Sequence, residues 1–132
     1  MNENIYVDDS SIVSDSCCIG VFSKIGRNCN LGSNTEIGSH VSMGDNIHIG
    51  NNCHIGDMVP ICDNVKIGDD VFIESGVVFI DKINQRASDN CETFSTVVEN
   101  NVRIHSKAII ESGSHIRSSQ IIGYGETVKR SL

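Results

Sequence analysis

Apolar residues return at every sixth position along most of this chain. From Val7 the series runs through Val13, Ile19, Ile25, Leu31, Ile37, Met43, Ile49, Ile55, Ile61, Ile67 and Ile73 to Phe79 without a slip. Two places before these residues runs a smaller series: Cys17, Ser23, Cys29, Thr35, Val41, Ile47, Cys53, Val59, Val65, Val71 and Val77. A helix repeats near 3.6 residues and a strand near two, so neither alone gives six. A short strand followed by a corner does. Residues two apart in a strand share a face, so both series point inward. The residues between them, among them Lys24, Asn30, Glu36, His48, His54 and Lys66, point outward. Asn28, Asn34, Asn46, Asn52 and Asn64 recur at one fixed offset, continued by Asp70 and Gly76. These residue types tolerate a left-handed backbone, which predicts a sharp bend there.

Three such sides close a coil of about 18 residues, and stacked coils make a parallel β-helix. The pattern stops after Phe79 and returns, weaker, at Val98, Ile104, Ile110, Ile116, Ile122 and Val128. Phe79 and Val98 are nineteen positions apart, not a multiple of six, so an extra segment leaves the prism. An unpatterned loop of that length in a compact repeat fold is a place to look for function. The expected organisation is one all-β domain over 1–132 of about six coils. It divides into regular repeats over 1–79, an extruded loop near 80–97, and weaker repeats with the chain end over 98–132.

Composition refines this picture. Only 5% of residues are aromatic and there is no Trp, as suits a narrow column filled by Ile and Val. A net charge of −7 argues against a nucleic-acid partner, which calls for a basic surface. No apolar run reaches membrane-span length and the N-terminus lacks a signal pattern, so a cytoplasmic protein is expected. Of the six cysteines, Cys17, Cys29 and Cys53 fall at the small inward position, where a thiol packs as a small hydrophobe. Reduced thiols are expected.

The IGxNxxIG repeats resemble those of the hexapeptide-repeat acyltransferases. That resemblance implies a left-handed coil, a homotrimer, and acetyl-CoA as co-substrate. The stretch VPICDNVKIGDDVFIESGVVFIDKINQRA, residues 59–87, is similar to bacterial enzymes that N-acetylate the 3-amino group of nucleotide-linked sugars for surface polysaccharides. The matching positions are Asp63, Asn64, Val65, Asp69, Asp70, Val71, Phe72, Val78, Phe79, Asn84, Arg86 and Ala87. The chain departs from the family at Ile80, Asp81 and Gln85, and at Ile104-His105-Ser106-Lys107.

Acetyl transfer to an amine needs an unprotonated nucleophile, an in-line carbonyl and a stabilised oxyanion. The resemblance places this chemistry in the cleft between chains, near the loop. Asp81 is expected to hold the acceptor ammonium and take its proton. His54, on the outer wall, is the second catalytic candidate, with His48 behind it. Asn84 and Arg86 are expected to bind sugar hydroxyls or the diphosphate, Arg86 by paired hydrogen bonds, and Phe79 is placed with the substrate. His40 takes a corner position in place of Asn, and His105 and His115 carry no signal. No metal is expected: zinc sites on this scaffold use two His five residues apart, and His48 and His54 are six apart. The alternatives are a saccharide O-acetyltransferase and, on the altered loop and second half, a non-catalytic scaffold or binding subunit.

Overall fold

The computed structural model describes residues 4–81 and 94–130. Among them lie nineteen short strands and no helix. Every pairing is parallel, and the strands form three sheets of seven, six and six. These are the three walls of a prism. The first wall runs from Tyr6–Val7 to Thr127–Val128, the second from Ile12–Val13 to His115–Ile116, and the third from Cys18–Ile19 to Ile121–Ile122. The regular step is eighteen residues, as in Lys24 pairing with Ser42 and Ser42 with Pro60.

The six-residue series is the core. Ile25, Ile55, Ile73 and Ile104 are wholly buried, while Val7, Val13 and Ile19 of the first coil are only half-buried. The smaller inward series does more than fill space. The Ser23 hydroxyl donates to the Gly38 carbonyl (2.8 Å) and accepts the Val41 N–H (3.1 Å). Thr35 does the same between Gly50 and Cys53, and the Cys53 thiol donates to the Gly68 carbonyl at 3.0 Å. Burial pushes the Cys29 and Cys53 thiols above the usual thiol range, which keeps them protonated as donors. The expectation of thiols as plain hydrophobes is thus extended: Ser, Thr and Cys recur here because one group must bridge two coils.

The prism edges are left-handed residues at six-residue intervals. Asn28, Asn34, Asn46, Asn52, Asn64 and Asp70 have φ between 56° and 60°, and Gly76 has φ 79°. The glycines that follow Ile25, Leu31, Ile37, Met43 and Ile49 have a different cause. A Cβ on Gly26 would lie 2.6 Å from the Oδ1 of Asp45 in the next coil. That oxygen accepts the Arg27 N–H at 2.8 Å. Asn51, Asp57, Asp63 and Asp69 repeat the device on the N–H groups of Ser33, Ser39, Asp45 and Asn51. Each coil therefore caps the one beneath, and glycine leaves room for the cap.

Across the insertion Asn100 still caps the Asp69 N–H beneath it (2.8 Å), and two glutamates cap in the opposite direction. Lys66 pairs with His48, eighteen residues earlier, and with Val97, thirty-one residues later. Thirteen extra residues thus enter at the edge between the first and second walls. Pairing runs through Ile80 and resumes at Thr96, so the break is narrower than 80–97. In the upper coils Glu74 caps the Ser106 N–H (2.9 Å) and Glu99 caps the Ser118 N–H (3.2 Å), each from the coil below.

Candidate functional site on the third wall

The outward ladder of the third wall reads Cys18, Glu36, His54, Phe72, Arg103, Ile121 from one end to the other. Register places His54 between Glu36 and Phe72, and both touch it. Its Nδ1 lies 3.2 Å from Glu36 Oε2. Its ring stacks on Phe72 with centroids 4.7 Å apart and planes 13° from parallel. The Arg103 guanidinium covers Phe72 at 4.8 Å. His54 is thus held on two sides, by a carboxylate and by a ring.

Two residues further along each strand, the same wall presents a second column. It reads Gly20, Gly38, Gly56, Glu74, His105, Gly123. Glycine is replaced twice, on successive coils, and the replacements meet. His105 Nδ1 lies 3.0 Å from Glu74 Oε1. The same oxygen accepts the Ser106 N–H at 2.9 Å and the Ser106 hydroxyl at 3.4 Å. These donors, Ser106 first and His105 after it, hold the Glu74 carboxyl below the usual carboxylate range. The His105 ring stacks on Tyr124 at 4.5 Å and 23°. This pair escaped the sequence reading, although the nineteen-position gap carries the signal. It sets a register of thirty-one across the insertion, and thirty-one separates Glu74 from His105.

Other expected residues lie elsewhere. Asp81 is exposed at the edge between the first and second walls, opposite the third wall. One chain therefore does not bring Asp81 and His54 together. Beside Asp81, the Cys62 thiol is pushed up to about 11, by burial first and by the Asp81 charge second. Phe79 is 2% exposed. Its ring belongs to the six-residue core series and is withdrawn from any ligand, which corrects its expected place with the substrate. Asn84, Arg86 and Cys91 lie outside the described residues. His48 faces a shallow groove on the second wall with Asn30, Lys66, Asp69 and Asn100. His115 pairs with Glu99 on that wall. Among the described residues no three His, Cys, Asp or Glu side chains converge as metal ligands, the described cysteines are free thiols, and no helix is long and apolar enough to cross a membrane.

Residues 46–81 match the family model of the bacterial transferase hexapeptide (six repeats). The repeat of that family is thus present in this stretch of the chain. No curated protein matches it in sequence. Solved structures share its fold. A hexapeptide transferase family protein from Anaplasma phagocytophilum superposes with a TM-score of 0.78 at 17% identity, covering 96% of this chain and 70% of that one. A variant of AntD, an N-acyltransferase from Bacillus cereus in complex with dTDP and coenzyme A, gives 0.69 at 18% identity, over 97% and 74% of the two chains. A variant of GDP-perosamine N-acetyl transferase from Caulobacter crescentus, with coenzyme A and GDP-perosamine, gives 0.52 at 14% identity, over 97% and 57%. These likenesses establish the all-β hexapeptide prism, consistent with the left-handed coil that the family resemblance implies.

Proposed function

We propose that this hexapeptide-repeat protein is an acetyl-CoA-dependent N-acetyltransferase acting on a nucleotide-linked amino sugar for surface polysaccharide synthesis. The observation that carries the proposal is the third wall. Among the described residues, it alone of the three walls gathers two carboxylate-held imidazoles, a guanidinium and exposed aromatic surface. Proteins with this fold that bind coenzyme A together with dTDP or with GDP-perosamine support the substrate class.

In this reading the sugar amine attacks the thioester carbonyl, and an imidazole of the third wall takes the amine proton. Asp81 holds the acceptor ammonium before its proton is lost, and Asn84 and Arg86 bind the sugar or diphosphate. Asp81 and the third wall lie on opposite sides of one chain, so in this reading the site is composite, formed between subunits of the homotrimer that the resemblance implies, in the cytoplasm. Acetyl-CoA incubated with dTDP-, UDP- and GDP-linked amino-deoxyhexoses is expected to release free thiol with at least one of them. Calorimetry is expected to show coenzyme A binding. No thiol release across the panel, and no heat of binding, would leave a scaffold or binding subunit as the function.

A further inference from the structure

We propose that His105, oriented by Glu74, is the proton acceptor for the amine, in preference to His54. The inference rests on the acetyltransferase reading above and names the base within it. Both imidazoles bond a carboxylate through Nδ1, so in each neutral ring Nε2 carries the lone pair. They differ in how firmly the carboxylate is held. The Glu36 side chain is 66% exposed and that of His54 43% exposed. The Glu74 and His105 side chains are 26% and 22% exposed. Glu74 is further fixed by the Ser106 N–H and hydroxyl, so the oxygen that orients His105 is itself immobilised. A base must present its lone pair in one direction throughout the reaction, and a twice-anchored carboxylate achieves that.

The repeat points the same way. At these two positions of the wall the small residue that every neighbouring coil uses is absent, and Glu and His stand in register instead. Capping the Ser106 N–H explains Glu74. It does not require His105, since the cap is made without the imidazole.

The step balances as follows. The amine nitrogen bonds to the thioester carbon, and the carbonyl π pair moves to oxygen. His105 Nε2 takes one proton from the attacking nitrogen. The oxyanion then collapses, the C–S bond breaks, and the proton passes to the departing sulfur. The products are the amide and coenzyme A thiol. Glu74 touches no reacting atom; it is a positioning residue that favours the imidazolium formed in between.

The test is steady-state thiol release from acetyl-CoA with the accepted amino-sugar nucleotide. His105→Gln is expected to lower kcat about 100-fold or more with KM nearly unchanged, within the range for loss of a general base. His105→Ala is expected to recover at least tenfold on addition of free imidazole. Glu74→Gln keeps an oxygen for the Ser106 N–H, so the fold should survive at neutral pH with only a modest drop in melting temperature while kcat falls about tenfold. A merely structural Glu74 would leave kcat intact in that variant. His54→Gln is expected to cost less than His105→Gln. Near-full kcat in both His105→Gln and Glu74→Gln overturns the assignment while the acetyltransferase reading stands. An inactive wild-type protein across the whole panel overturns both.

Discussion

At the scale of single residues, hydrogen bonds that join one coil to the next govern what each position tolerates. Thr35 is wholly buried, yet its hydroxyl serves both the Gly50 carbonyl and the Cys53 N–H. Thr35→Val keeps the shape and strands both groups, so it is expected to cost about 1–3 kcal/mol in urea unfolding. Thr35→Ser should cost clearly less. The edges give a complementary case. Phe22 and Met58 adopt φ of 61° and 56°, where the other two edges use mostly Asn. Both are exposed, so no core contact compensates the left-handed backbone. Phe22→Asn is expected to raise stability by roughly 0.5–1 kcal/mol, and Asn46→Ala to lower it by about 1 kcal/mol. Chemical denaturation of the two variants side by side checks the sign. A stability loss in Phe22→Asn would mean that this edge is covered in solution.

At the scale of the coil, Glu74 and Glu99 give the upper half its own pH response. Each carboxyl is held below its ordinary value by donors, Ser106 before His105 for Glu74, and His115 before Ser118 for Glu99. A folded-state value below the unfolded one contributes stability that is fully present above the ordinary carboxylate range. It is lost as pH falls through the depressed value. Below about pH 4.5 the coils above the insertion are therefore expected to open before the lower ones. Hydrogen exchange over 94–130 reads this directly. The double variant Glu74→Gln with Glu99→Gln should flatten the acid limb. An unchanged limb would show that other carboxylates carry it. The sequence foretold the strands of these coils, because Ile104, Ile110, Ile116 and Ile122 keep the six-residue step. It did not reveal the reversed caps. Capping direction depends on which side chains stand in register at each level, and Glu74 and Ser106 are thirty-two residues apart.

At the scale of the whole molecule, the question is what a single prism lacks. Asp81 and the third wall lie on opposite sides of one chain. If both serve one site, inactive chains should complement one another. Mixing Asp81→Ala with His105→Gln through a denaturation and refolding cycle should restore about a quarter of wild-type activity. In a closed ring, that is the fraction of interfaces that pair an intact His105 with an intact Asp81. Mixed oligomers seen by native mass spectrometry without recovered activity would sink the composite site.

The sequence by itself determined the prism: wall length, inward and outward positions, and left-handed edges all follow from one six-residue period. Local sterics and strand alternation suffice for those, because each depends on residues a few places apart. It also marked Asp81 and His54 as chemically suited, from residue type and resemblance. What only the tertiary structure decided is company. It showed that Phe79 is core, that Asp81 and His54 face apart, that glycine makes room for a cap, and that Glu74 holds His105. Such contacts join neighbouring coils, eighteen or thirty-one residues away along the chain. Whether two side chains at that separation bond depends on their rotamers and on what packs beside them, which stacking alone brings together.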